Sequence, residues 1–164
     1  MSRADLLDIN VWLALAHVHH PHHTAARQYW ISSTVPMVFC RTSVQGFLRL
    51  VTQPAVMGDA VHTPSEAWRI YTAHLRTGRS LLLPEPDGVD LVWQHLTRAE
   101  NFHIRDWTDA YLASFAMCAD CRLVSFDADF VQYQGKEHAN PSVQGARLEF
   151  LHLRAGLEAL NANH

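Results

Sequence analysis

ADLLDINVWLALA, residues 4–16, is the stretch whose reading decides the fold. Ala4 to Asp8 is short, apolar and closed by an acid, which predicts a buried strand. From Asn10 to Ala16 the chain is apolar on every side, which predicts a buried helix. A buried strand passing straight into a buried helix is how an α/β unit opens. The same exchange recurs downstream. Pro36–Cys40, Ser80–Leu83, Leu123–Phe126 and Glu149–Leu153 read as four further strands. Helical stretches separate them. Pro21 opens one that carries Ala25, Ala26, Tyr29 and Trp30 at helical spacing. Val44, Phe47, Leu48 and Val51 fall at i, i+3, i+4 and i+7 behind a Thr42 or Ser43 cap. Pro64 starts a helix with Trp68, Tyr71 and Leu75 on one face and Gly78 as its stop. Val89, Val92, Trp93 and Leu96 mark another. The last, behind Asp106 or Thr108, runs through Tyr111, Phe115 and Ala116. Pro54–Thr63 and Asp129–Gly145 read as loops. Strands alternating with helices predict an α/β domain with a mostly parallel sheet of about five strands.

The bulk properties agree. The chain has 164 residues, 48% hydrophobic and 18% charged, which suits one globular domain. Residues 1–153 are assigned to the domain and 154–164 to a polar tail. No apolar run reaches the roughly 18 residues of a membrane span. The apolar stretch Val11–Ala16 is short and follows Asp5 and Asp8, so no leader is expected and the cytoplasm is the predicted location. Three cysteines, an odd count, argue against a disulfide framework. The net charge of −3 excludes a protein that coats nucleic acid by charge alone. Lys136 is the single lysine, and the other twelve basic residues are arginines. Either a local phosphate-binding patch or plain coding bias accounts for that.

In open α/β sheets, ligands gather beyond the carboxyl ends of the strands. Asp8 follows the first strand and Asp127 the fourth, and Asp109 lies in the first turn of the helix that feeds the fourth. Singly, each has a simpler role: Asp8 and Asp127 as turn residues, Asp109 as an acid favoured by the helix dipole. Brought together they would repel. Like charges about 4 Å apart oppose each other by about 4 kcal/mol at an effective dielectric of 20. Such a cluster calls for a proton or a divalent cation. An all-oxygen donor set suits Mg²⁺ or Mn²⁺ rather than zinc. The matching reaction class is metal-assisted phosphodiester hydrolysis.

LLDINVWLAL at 6–15, HPHHTAARQYW at 20–30, QGFLRLVTQPAV at 45–56, WTDAYLASFA at 107–116 and LVSFDADF at 123–130 resemble PIN-domain ribonuclease toxins of the VapC type. The blocks run in order across nearly the whole chain. The resemblance implies a three-layer α/β/α sandwich and a Mg²⁺- or Mn²⁺-dependent endoribonuclease acting on RNA. It also implies a cognate antitoxin partner and a homodimer. The family's site is four acids. Asp8, Asp109 and Asp127 match the first, third and fourth, and Gln45 stands where the second is usually glutamate. Glutamine accepts a hydrogen bond but brings no charge. Asn10 and Ser125 match small polar positions beside the acids and are expected to support them, with helix capping and plain strand packing as their simpler roles. Arg41 and Arg49, about one turn on either side of Gln45, are candidates for contact with RNA or the antitoxin, or for a solvated face.

Other features read as structural. Asp106 is expected to cap its helix and Asp129 to open a turn. Cys118-Ala-Asp-Cys121 has no second pair to complete a zinc site. His17, His19, His20, His22 and His23 form a tract that will capture Ni²⁺ or Zn²⁺ adventitiously, yet it falls where the family has a loop and helix start. Trp68 and Trp93 are assigned to the core. Two rival functions stay open: a catalytically silent RNA- or antitoxin-binding module, and a related metal-dependent nuclease or phosphatase with another substrate.

Overall fold

Leu6 and Leu7 are neighbours in sequence and both wholly buried, yet they belong to different cores. Side chains alternate across a strand, so a strand buried on both faces feeds two layers. The same split separates Val38 from Met37 and Phe39, and Leu123 from Val124. A computed structural model describes residues 4–136 and 147–154. Its five strands are β1 (Ala4–Leu7), β2 (Met37–Phe39), β3 (Ser80–Leu82), β4 (Cys121–Ser125) and β5 (Glu149–His152). They form one sheet in the order β3-β2-β1-β4-β5, with every pairing parallel.

The helices are α1 (Ile9–Ala16), α2 (His23–Ser32), α3 (Arg41–Val51), α4 (Pro54–Met57), α5 (Pro64–Arg76), α6 (Val89–Thr97) and α7 (Trp107–Cys118). One core joins the sheet to α6 and α7 through Val92, Leu96, Leu112, Phe115 and their neighbours. The other joins it to α1, α2, α3 and α5 through Trp12, Ala26, Phe47 and Tyr71. This is the expected α/β/α sandwich. The chain builds outward from β1 through β2 to β3, then returns to lay β4 on the other side of β1. The order reverses between β1 and β4, and in sheets of this kind the ligand crevice opens at that switch point.

Several local expectations need correction. The first helix starts at Ile9 with Asp8, not Asn10, in the capping position. Pro21 lies in the turn before α2 and not in its first position. The cap of α3 is Cys40, whose thiol accepts from the Ser43 backbone while the Ser43 hydroxyl accepts from the Cys40 N–H. Pro54–Ala60 is short helix followed by a 3-10 turn rather than loop. Ala128–Tyr133 is also 3-10, pinned by the buried Phe130 and Tyr133. Trp68 is 51% exposed, so it is not core, whereas Trp93 packs against the α6–α7 core. The rest of the expected loop, residues 137–146, and the tail from 155 to 164 lie outside the described residues.

Candidate metal centre

Asp8 reaches its place because β1 ends and α1 begins on it. Its backbone N–H donates to the Val124 carbonyl of β4 at 2.9 Å, and its carboxylate accepts from the Ile9 N–H at 2.6 Å. The carboxylate thus sits at the helix N-terminus, where orphan donors favour an anion. From the neighbouring strand, the Ser125 hydroxyl donates to the other Asp8 oxygen at 2.7 Å. The same oxygen of Ser125 accepts from the Asp127 N–H at 2.9 Å and from Asn10 Nδ2 at 3.0 Å. A hydroxyl has one proton and two lone pairs. All three are used here, in a fully buried position. Asn10 Oδ1 accepts from the Phe126 N–H at 3.3 Å, and Asp127 accepts from the Asp129 N–H at 2.8 Å. Asn10 and Ser125 therefore tie the two acid-bearing turns together, and Asn10 does not serve as the cap of α1.

Asp109 comes to this edge from the first turn of α7. The acids act on one another. Burial pushes Asp8 up to about 6 against the hydrogen bonds from Ser125 and Ile9, and the charge of Asp127 adds to the rise. Burial pushes Asp109 up to about 7, reinforced by the charges of Asp8, Asp127, Asp106 and Asp129. The donor set is all carboxylate, the chemistry of a hard divalent cation. A cation would relieve the mutual repulsion. Among the described residues no three His, Cys, Asp or Glu side chains are gathered tightly enough to ligate one ion as they stand. Of the three aspartates, Asp8 and Asp127 already spend carboxylate oxygens on the protein's own N–H and O–H groups.

The remaining candidates separate. Gln45 is exposed on α3 and makes no hydrogen bond to any of the three acids. Arg41 and Arg49 are exposed on the same helix, and Arg49 lines a shallow cleft with Leu48, Thr52, Pro64, Ala67 and Trp68. Asp106 occupies the capping position of α7, but its side chain makes no capping bond. It faces Arg105 at 3.4 Å and, with Asp129, adds to the field on Asp109. Reading both as turn or cap residues missed that field. The signal was the i, i+3 spacing of Asp106 and Asp109, which puts them on one helix face. In the histidine tract, His20 Nδ1 accepts from the His22 N–H, His23 pairs with the Ala14 carbonyl at 2.7 Å, and His22 stacks on Phe126 with ring centroids 4.4 Å apart. The tract therefore packs beside the acid edge. Cys118 and Cys121 are free thiols, each pushed up to about 11 by burial.

The PIN-domain family profile matches residues 6–136. Ribonuclease VapC41 of Mycobacterium tuberculosis is 40% identical over 138 residues, which cover 80% of this chain and 94% of that protein. Ribonuclease VapC38 of the same organism is 33% identical over 124 residues, covering 75% of this chain and 84% of the relative. Solved structures share the fold. Mycobacterium tuberculosis VapC20, described as a sarcin-ricin loop cleaving toxin, aligns with a TM-score of 0.61 at 17% identity over 78% of this chain and 93% of its own. VapBC2 from Rickettsia felis, bound to a DNA fragment from their promoter, aligns at 0.61 with 10% identity over 92% of this chain and 99% of that one. With the family profile matching residues 6–136 and 40% identity extending over 80% of the chain, the chain belongs to the PIN-domain family, among its VapC ribonucleases.

Proposed function

We propose that Asp8, Asp109 and Asp127 hold a Mg²⁺ or Mn²⁺ ion with which the chain cuts RNA. As a VapC ribonuclease it is an endoribonuclease and the toxin of a toxin–antitoxin pair. PIN-domain ribonucleases of this kind depend on a divalent metal. When bound, the ion lowers the pKa of a water and stabilises charge on a phosphoryl oxygen. The chain's own part is to hold the acids. Ser125 holds one Asp8 oxygen and the start of the Asp127 turn, Asn10 ties to Ser125 and Phe126, and the first turn of α7 carries Asp109. In-line hydrolysis leaves a 5′-phosphate and a 3′-hydroxyl.

The observation that carries this reading is the shared acidic field at the β1–β4 switch point: the charge of Asp127 adds to the rise of Asp8, and those of Asp8 and Asp127 to the rise of Asp109, although the three come from distant parts of the chain. The antitoxin partner is supported by the VapBC pairing of the structural relatives. Arg41 and Arg49, exposed on α3, are proposed to meet RNA phosphates or the antitoxin. A homodimer belongs to the same reading. So does a cytoplasmic location, in keeping with the finding that no helix among the described residues is long and apolar enough to cross a membrane.

The test is cleavage of a panel of structured and single-stranded RNAs, with matched DNAs and a phosphomonoester as controls, in EDTA, Mg²⁺ or Mn²⁺. Wild type is expected to cut RNA only with metal, and Asp8→Ala, Asp109→Ala and Asp127→Ala to be inactive while folded. A folded variant that cuts at the wild-type rate removes that residue from the ligand set. Cleavage of the controls alone would favour the rival substrates.

A further inference from the structure

Tyr133 ends the 3-10 segment that starts after Asp127. It is 1% exposed, and its hydroxyl has no hydrogen-bond partner among the described residues. Buried polar groups in folded proteins are nearly always paired, so an orphaned phenol demands a reason. Its ring gives no help: it packs on Phe130 and lies under the Lys136 ammonium at 5.5 Å, which holds the ring and leaves the hydroxyl unengaged. The hydroxyl's electrostatic surroundings are acidic. Burial and the charges of Asp106, Asp109 and Asp129 all oppose its ionisation. The phenol is thus a committed donor among carboxylates, none of which yet accepts from it.

The three acids are not equivalent. Asp106 faces Arg105. Asp129 is exposed, with its backbone tied to Asp127. Asp109 is half-buried on α7, next to Ala110, which shares a core cluster with Tyr133, and makes no hydrogen bond among the described residues. We propose that Tyr133 is a positioning residue for Asp109: once a cation draws the Asp109 carboxylate into the cluster, the phenol donates to it and fixes the oxygen turned away from the ion. The inference rests on the metal reading above. A carboxylate held by the ion would give the orphaned hydroxyl its acceptor. A bond from a neutral donor to an ionised carboxylate is charge-assisted, hence worth more than an ordinary one. Groups that orient metal ligands in this way commonly tune affinity by 10–100-fold.

Tyr133→Phe removes the hydroxyl and keeps the ring. Two measurements decide the matter: calorimetric titration with Mn²⁺, and thermal melting in EDTA. The variant is expected to bind Mn²⁺ about tenfold more weakly, yet to melt in EDTA at or above the wild-type temperature, because an unpaired buried hydroxyl has gone. A residue that merely packs would leave Mn²⁺ affinity unmoved. Equal affinity in the two proteins, with wild type binding, overturns the Tyr133 role and leaves the metal reading standing. A marked loss of stability in EDTA also overturns it, since the hydroxyl would then be bonded without the cation. Failure of both proteins to bind Mn²⁺ overturns the metal reading and this one with it.

Discussion

Ser125 carries the most consequence of any single residue at the acid edge. Its hydroxyl satisfies Asp8, Asp127 and Asn10 together, so no other side chain of its size substitutes. Ser125→Ala leaves a buried N–H and an amide without partners and frees the Asp8 carboxylate to swing. A loss of about 1–3 kcal/mol is expected in urea unfolding, with at least a tenfold fall in Mn²⁺ affinity. Unchanged affinity would mean that Ser125 braces the strands and not the ligands. Protonation of the acids gives a second residue-scale prediction. Asp8 and Asp109 titrate near 6 and 7 in the folded protein, above the roughly 3.9 of an unfolded aspartate. Between those values the native state holds protons that the unfolded chain has released, so metal-free stability falls as pH rises through the window. Melting in EDTA should therefore drop from about pH 4.5 to about pH 7.5. The Mn²⁺-induced stabilisation should grow over the same range, because the ion competes with those protons. A flat EDTA profile would show that the two carboxyls are not coupled in this way.

At the scale of elements, β1 and β4 are joined at their far end by a group that a sequence reading passes over. Asp5 lies opposite Arg122 in the register, and the guanidinium holds its carboxylate through two bonds of 2.9 Å while Tyr29 of α2 donates to the same group. Asp5 is wholly buried, and Arg122 is 30% exposed. Arg122→Ala leaves a buried charge with a phenol alone and is expected to cost about 3 kcal/mol, the low end for a broken buried pair because the partner is partly solvated. RNA cleavage per folded molecule should be unchanged, since the pair sits away from the carboxyl edge. Urea unfolding beside a cleavage assay checks both halves. Gly46 shows the same dependence on close packing: a Cβ there would come within 2.3 Å of Ile9 Cδ1, which is how α3 lies tight against the start of α1.

What was legible follows from these scales. Strands and helices were legible because Leu6, Leu7 and their counterparts repeat an apolar pattern with local period. Asp8 and Asp127 stood out by position at strand ends, Asp109 by its place in the first turn of a helix, and all three by family resemblance. The Cys40 cap was not legible, because a thiol is a poor cap by type and works here only through its exchange with Ser43. Nor was the 3-10 segment at Ala128–Tyr133, where two buried aromatics sit in an otherwise polar run. The bridge through Ser125 and the Asp5–Arg122 pair each depend on a partner more than a hundred residues away, and no local pattern encodes that.

For the whole molecule, the cluster sets fold against function. Without metal the three acids repel in the folded state, and unfolding relieves them. A cation that binds only the native cluster stabilises by mass action, by about 2.7 kcal/mol at a hundredfold excess over its dissociation constant. In a domain of this size that is a rise of several degrees in Tm. Asp8→Asn should lose that rise and melt no lower than wild type in EDTA. Differential scanning with EDTA, Mg²⁺ or Mn²⁺ tests it, with Ni²⁺ and Zn²⁺ avoided because the histidine tract would take them. An equal Mn²⁺ shift in both proteins would place the ion elsewhere, the tract at 17–23 first.

The bond between Ser125 and Asp8 spans 117 residues of chain, and that separation has a meaning in time. On a ribosome adding about 5–20 residues per second, roughly 6–23 s pass between the emergence of one partner and the other. Over that interval β1 has β2 to pair with, but its other edge, where β4 will lie, stays open, and Asp8 has nothing to lock it. A nascent or prematurely terminated chain that stops short of β4 carries Asp8 and Asp109 and cannot assemble them. Toxicity therefore arrives in one step, late in translation, and a nonsense or frameshift change anywhere before Cys121 disarms the product by removing β4 and Asp127 together.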